Sequence, residues 1–261
     1  MQKNFSDVTA STADDVGIAE IRRPPDNFFD AGLIGSLADA YSWLESEGAR
    51  AIVLCSEGKH FCAGADFAGR SEQAGRIGAS GGARELYDEA LRLFQVAIPV
   101  VAVVQGAAVG GGLGLACSAD FRVAGPRSRF SANFARIGLH HGFGLTATLP
   151  AIVGQQRAID LLYTGRRIGG EEAERIGLVD RLAAEPVEIR DAASALATEI
   201  ASAAPLAVRS IRATMRAGLA DRVRAATDRE FAEQRQLWPT ADFAEGVRAA
   251  AERRPARFAG R

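Results

Sequence analysis

The segment Val100–Phe121, VVAVVQGAAVGGGLGLACSADF, constrains the fold more than any other part of the chain. The apolar run Val100–Val104 has no polar face, so it reads as a buried strand of a parallel sheet covered on both sides. The strand stops at Gly106, and Gly110, Gly111 and Gly112 then open a helix. A helix N-terminus presents unpaired N–H groups and the positive end of the helix dipole. Glycines let another group approach that backbone closely. The chemistry suited to such a turn is stabilisation of a negative oxygen.

Spacing excludes three other glycine-rich sites. A phosphate-binding loop of the Walker type needs Lys and Ser or Thr after its last glycine, and Leu113 follows here. A dinucleotide fingerprint started at Gly112 and Gly114 would need a third glycine where Cys117 stands. Gly78-Ala-Ser80-Gly-Gly82 matches GxSxG, but it lies in the polar stretch Gly69–Arg84, read as a surface loop with no strand before it.

A second tight turn, Gly58–Phe67 (GKHFCAGADF), follows the apolar run at residues 50–55. Two such turns at the carboxyl ends of parallel strands are where α/β folds build sites. Around them the periodicity gives a strand at 16–21, a helix over 30–47 with Leu33, Leu37, Ala40 and Leu44 on one face, and hence a βαβ unit. Further helices are expected at 85–96, 155–164 and 171–176, and short strands at Phe121–Ala124 and Arg129–Ser131. Beyond residue 190 strand signals vanish. Pro205 fits a first helical position, Leu206, Ile211, Met215 and Leu219 share a helical stripe, and Asp242-Phe-Ala-Glu245 has capping-box spacing. The chain therefore divides into an α/β body, residues 1–195, and a helical region, 196–261.

Charge excludes one class of partner. With 31 Lys and Arg against 32 Asp and Glu, the net charge is −1, so no nucleic acid is expected. Three cysteines without a CxxC pair fit a reducing cytoplasm. The polar N-terminus lacks the apolar core of a signal peptide, and no apolar run reaches 18 residues, so no membrane association is expected.

Phe61-Cys-Ala-Gly-Ala-Asp66, the Gln105-Gly106 to Gly110-Gly-Gly112 run with Ala116 and Asp120, Tyr163-Thr-Gly-Arg-Arg-Ile-Gly-Gly-Glu-Glu-Ala173, and Ile176-Gly-Leu-Val-Asp180 occur in one register. Together they resemble the crotonase superfamily, the enoyl-CoA hydratase/isomerase family. The resemblance implies a spiral of ββα units in two sheets, with C-terminal helices packing homotrimers or dimers of trimers. It implies an acyl-CoA thioester substrate, coenzyme A being part of that substrate, with no separate cofactor and no metal. In such proteins two backbone N–H groups hold the thioester oxygen as it becomes an enolate; by motif position these are the amides of Ala63 and Gly111. CoA would run along Ala65, Asp66 and Phe67, with Arg23 and Phe258 adding contacts. As a lone residue after a strand, Arg23 reads equally as a solvated charge, and Asp66 as a turn cap.

The same resemblance exposes a departure. Hydratases of the family use two glutamates, and their positions are held here by Gly114 and Phe134. The isomerases' alternative acid falls near Gly142, and no Asp or Glu occurs from Phe121 to Ala158. General acid–base catalysis needs a titratable group within reach of the proton. His140 and His141, in the loop that closes over the acyl group, are the candidate proton carriers, against a reading as loop histidines bonded to backbone. His60 reads as structural and Cys62 as a small buried residue. Phe134, Gly142 and Phe143 are the candidate acyl contacts, with core packing as the other reading of the two rings. The expectation is an enoyl-CoA hydratase/isomerase-like enzyme with an altered proton carrier; the alternative is a non-catalytic acyl-CoA-binding or scaffold protein.

Overall fold

The computed structural model describes residues 1–67 and 82–261. The surface loop and GxSxG string expected at 69–84 lie outside these up to residue 81, and Gly82–Arg84 already belong to a helix.

In chain order the elements are β1 (Gln2–Phe5), β2 (Val8–Ala13), β3 (Val16–Ile21), α1 (Ala31–Ser46), β4 (Ala51–Ser56), α2 (Gly82–Gln95), β5 (Val100–Val104), β6 (Ala107–Val109), α3 (Gly111–Ser118), β7 (Phe121–Ala124) and β8 (Arg129–Ser131). A 3₁₀ turn, Asn133–Ile137, leads to α4 (Leu145–Val153), α5 (Gln155–Thr164), β9 (Arg167–Gly169), α6 (Gly170–Arg175) and β10 (Arg181–Leu182). After a second 3₁₀ turn, Pro186–Glu188, come α7 (Ile189–Ala201), α8 (Pro205–Met215), α9 (Leu219–Leu237) and α10 (Ala241–Glu252).

A seven-stranded sheet has the order β1-β2-β3-β4-β5-β7-β10, and a three-stranded sheet the order β6-β8-β9. β3, β4, β5 and β7 pair in parallel, with Gly17 opposite Ile52 and Val101 opposite Phe121. Every residue of β4 and β5 is buried, as the unbroken apolar runs predicted. Alternation explains why. Ile52, Leu54, Ala102 and Val104 pack with α1 and α2 residues such as Leu33, Leu37 and Leu86. Ala51, Val53, Val101 and Val103 face Ile189, Ala193 and Leu196 of α7. The βαβ unit β3-α1-β4 forms as expected, with Asp30 capping α1 by accepting from Leu33 N (2.9 Å).

The structure adds elements that periodicity missed. β1 and β2 form an edge hairpin whose first strand is almost wholly exposed and carries no apolar alternation. α4 contains Pro150, a residue that disfavours helix interiors. β6, β9 and β10 are two or three residues long, below any recognisable period. The boundary expected at 195/196 falls inside α7.

In the C-terminal region the stripe breaks before its last residue and the capping box is corrected. Leu206, Ile211 and Met215 share one face of α8, and it is turned outward: these side chains are 81%, 62% and 79% exposed. The inward face of α8 instead carries Arg212, which with Arg216 just beyond the helix holds Asp120 (Arg212 Nε 3.0 Å, Arg216 Nη1 2.9 Å). Gly218, at φ 68°, then breaks the stripe before Leu219. Asp242 and Glu245 do not form a capping box. Thr240 caps α10 by accepting from Phe243 N (3.1 Å). Asp242 instead accepts from Ala259 N and Gly260 N, and Glu245 pairs with Arg248 and Arg254.

Candidate acyl-binding site

The two glycine-rich turns are brought together by backbone hydrogen bonds. Phe61 N donates to Gln105 O (2.9 Å), Cys62 N to Ala107 O (3.0 Å), and Val109 N back to Cys62 O (3.0 Å). The glycines permit this approach. A Cβ on Gly64, whose φ is 83°, would stand 2.6 Å from Val109 O; one on Gly112 would stand 2.1 Å from Cys62 O. A Cβ on Gly111 would collide with the ring of Phe29 at 2.3 Å.

Between the turns lies a cavity of about 60 Å³, lined by Ala63, Gly64, Ala65, Phe67, Gly110 and Gly111, and closed by side chains of α2, α9 and the 133–143 segment. Phe29, Phe67, Leu86, Phe134, Ile137 and Phe143 make it largely apolar. Phe134 and Phe143 thus serve both as wall and as buried core.

The amide expected at Ala63 is corrected by geometry. Ala63 N donates to Asp26 O at 2.9 Å, so its hydrogen is already committed. The next odd position, Ala65, lines the cavity, and among the described residues its N–H donates to no protein acceptor. The same holds for Gly111 N, the first amide of α3. Ala65 and Gly111 lie on the two facing turns, which makes their amides a candidate donor pair. Cys62 is buried, its thiol pushed up to about 12 by desolvation, which removes it as a nucleophile.

The remaining expected contacts are dispersed. Arg23 is held by Asp7 (2.5 Å) and Asp30 (3.1 Å), so its charge is already paired and it is corrected to a structural ion pair. Asp66 is buried beside Ala65, and Phe67 meets Phe243 edge-on (5.6 Å, 86°). Phe258 lines a different groove, of about 440 Å³, with Gly138, Leu237 and Asp242. His60 stands 3.9 Å from Asp26, away from the cavity.

His140 and His141 stack on each other (4.1 Å, 25°) and do not line the cavity. His140 Nδ1 donates to His141 O (2.8 Å), and His141 Nε2 meets Thr146 Oγ1 (2.8 Å). Desolvation, helped by the adjacent His140, lowers the His141 pKa to about 4. Both rings therefore spend contacts on the loop itself, and their loop is what reaches the site.

That loop is clamped from two helices. Tyr87 of α2 donates to Gln234 Oε1 (2.9 Å) and accepts from Phe143 N. Gln234 Nε2 donates to His140 O (3.0 Å), and Glu230, one turn earlier on α9, accepts from Gly144 N (2.8 Å) and Thr146 N (2.9 Å). Burial raises the Glu230 pKa against those hydrogen bonds. Gly142 must be glycine: a Cβ would stand 2.2 Å from the Tyr87 hydroxyl. Phe143 sits at φ 61°, a conformation this clamp holds in place. Phe29, Leu86, Tyr87, Asn133 and Gln234 escaped sequence reasoning, since each looks like an ordinary helix or loop residue; the Tyr87–Gln234 contact spans 147 positions.

The His141 shift makes a prediction. Its folded pKa lies below the unfolded value of 6.5, so its contribution to stability is full above pH 6.5 and is lost as pH falls towards 4. The slope should reach at most about 1.4 kcal/mol per pH unit. Glu230, raised above 4.5, titrates in the opposite sense, so the difference between wild type and His141→Phe isolates the histidine. Urea unfolding from pH 4 to 7 should show a smaller acid-side loss in the variant; parallel profiles would contradict it.

Among the described residues, no group of three or more His, Cys, Asp and Glu could hold a metal, and no helix is long and apolar enough to cross a membrane. The sequence matches the family model for enoyl-CoA hydratase/isomerase over residues 12–261. It is 36% identical over 214 residues to a probable enoyl-CoA hydratase of Rhodobacter capsulatus, covering 82% of each chain. It is also 36% identical over 208 residues to a crotonyl-CoA hydratase of Syntrophomonas wolfei, covering 79% of each. The crystal structure of an enoyl-CoA hydratase from Mycobacterium avium subsp. paratuberculosis superposes with a TM-score of 0.83 at 26% identity, covering 98% of this chain and all of that one.

Proposed function

Because the chain belongs to the enoyl-CoA hydratase/isomerase family, a family of enzymes with the crotonase fold, we propose that it acts on an acyl-CoA thioester whose carbonyl oxygen is held by the amides of Ala65 and Gly111. The observation that carries this reading is the pair of uncommitted amides facing one cavity while the neighbouring Ala63 amide is committed to Asp26. Two preorganised donors stabilise the charge that develops as a proton leaves the α-carbon, and removing one such donor typically costs about 10²–10³ in rate. The apolar walls exclude water and strengthen both hydrogen bonds.

The chemistry is enolate chemistry without the two hydratase glutamates. Gly114 cannot be replaced by an acid in place, since its Cβ would stand 2.6 Å from Phe143 Cβ. No Asp, Glu or His side chain is among the lining residues described. That last observation also supports the second reading, an acyl-CoA-binding protein that does not turn its ligand over. The small cavity favours a short acyl group over a long one, given that drug-sized ligands need pockets of about 300–1,000 Å³.

The apolar outer face of α8 supports self-association as a trimer or a dimer of trimers, and three free buried cysteines support a reducing, cytoplasmic setting. The site reading is tested by the vibrational frequency of the bound thioester carbonyl, which two amide donors lower. An acyl-CoA panel with product analysis separates the two readings: one converted substrate supports the enzyme, and saturable binding with no conversion supports the binder.

A further inference from the structure

We propose that the junction of α1, α8 and the start of β7 binds a small monovalent anion of the halide class, held by the Tyr41 hydroxyl and by free N–H groups of Arg212 and Arg216. None of these three residues lines the acyl cavity, so the inference stands apart from how that cavity is read.

Two helices bring the groups together. Tyr41 and Glu45 lie about one turn apart on α1, and so do Arg209 and Arg212 on α8. Glu45 pairs with Arg209, which sets this face of α1 against this face of α8. Tyr41 accordingly lies within electrostatic reach of both Asp120 and Arg212.

Donors outnumber acceptors there. Asp120 accepts from Val100 N (2.8 Å), Arg212 Nε (3.0 Å) and Arg216 Nη1 (2.9 Å). Arg212 Nη1 donates to Val96 O, and Arg216 Nη2 to Ser118 O (3.0 Å). Arg212 Nη2, Arg216 Nε and the Tyr41 hydroxyl are buried atoms that, among the described residues, meet no hydrogen-bond partner. Tyr41 is 2% exposed and Arg212 9%. Burial and the Asp120 charge push the Tyr41 pKa up, so its hydroxyl keeps its proton and donates. Nearly all buried polar groups in folded proteins are paired, so three unmatched donors call for an acceptor.

Charge selects the acceptor. Arg212 and Arg216 set two positive charges against the single carboxylate of Asp120, an excess of one. The neighbouring pairs Arg122–Asp180 and Arg209–Glu45 are each neutral. An uncompensated buried charge is costly, and burial lowers the Arg216 pKa despite Asp120. A water molecule would leave the excess charge standing. It would also bring two hydrogens of its own to acceptors that already serve Val100 and the arginines. A monovalent anion cancels the charge and accepts from all three donors. Because the donors are buried the ligand is small, and a halide accepts from several directions without a shape of its own.

The test is thermal melting of the full chain in sodium gluconate exchanged stepwise for sodium chloride or bromide at constant ionic strength, with wild type, Tyr41→Phe and Arg216→Gln. A ligand that binds only the folded chain stabilises it by mass action. The wild-type melting temperature should therefore rise by roughly 3–6 °C for each tenfold increase in halide beyond its dissociation constant. Arg216→Gln removes the excess charge and should lose this rise. Tyr41→Phe deletes one donor, keeps the ring and should need more halide for the same rise; it carries the test if the arginine variant does not fold. Equal melting of wild type in gluconate and halide would overturn the proposal, as would a rise undiminished in a folded variant. Crystals grown in bromide should show an anomalous peak within hydrogen-bonding distance of Arg212 Nη2 and Arg216 Nε, and a water molecule in that place would overturn it.

Discussion

Crotonyl-CoA should be hydrated at least about 10³-fold more slowly by this chain than by a relative that carries both glutamates. Hydration needs a base to take a proton from the attacking water and an acid to deliver one to the α-carbon. Each such group typically contributes about 10²–10⁴, and groups acting as a unit do not multiply independently, hence the conservative figure. On the proposed reading the first position is Gly114, whose Cβ would press against Phe143, and the second is Phe134, a buried ring of the cavity wall. The histidines do not replace them, since the His140–His141 stack bonds its own loop and Thr146. With His141 lowered to about 4, its ring is neutral at pH 7 and a weak base. Loss of the enoyl thioester's ultraviolet absorbance measures the rate. Hydration at the rate of a glutamate-bearing relative would mean that a carboxylate from outside the described walls delivers the water.

Gly112→Ala should abolish the site and destabilise the fold by about 3 kcal/mol or more, beyond the usual range for overpacking. The added methyl would lie 2.1 Å from Cys62 O and 2.8 Å from Cys62 C, backbone atoms that cannot rotate away. Relief requires parting α3 from the Phe61–Cys62 segment, which breaks the Val109 N to Cys62 O bond and separates the Ala65 and Gly111 amides. For a chain of this size the melting temperature should fall by roughly 6–12 °C. Gly169→Ala is the matched control: its backbone has ordinary strand geometry and the nearest atom to the new methyl is 3.6 Å away. Equal melting of the two variants would contradict the close-contact account.

What the sequence revealed of the fold and site follows from the physics each residue records. The buried strands β4 and β5 were legible because burial on both faces leaves an unbroken apolar run. The glycines at 110–112 were legible as a turn into a helix, and the packing shows that each has a separate cause: positive φ at Gly110, the Phe29 ring at Gly111, the Cys62 carbonyl at Gly112. The commitment of the Ala63 amide was not legible, because motif position does not show which amide the chain uses internally; Asp26, which accepts from Ala63, is remote in sequence. Arg23 illustrates the same limit, since an arginine after a strand looks the same whether it meets a ligand phosphate or the Asp7 and Asp30 carboxylates. The stripe on α8 was legible as a periodicity but its side was not, because the helix rotation is fixed by Arg212 and Arg216 reaching Asp120, which is remote in sequence. Tyr87, Gln234 and Glu230 could not be read at all. They act through a tertiary clamp on the 140–146 segment, and neither helix periodicity nor residue type signals it.

The central claim is that the Ala65 and Gly111 amides polarise a bound thioester. Isotope-edited infrared spectroscopy of crotonyl-CoA labelled at the thioester carbonyl, free and bound, tests it most directly. The account predicts that the carbonyl stretch moves to lower frequency on binding and that Gly112→Ala loses the shift. A bound carbonyl at the frequency of the free ligand in water, or above it, would contradict the claim.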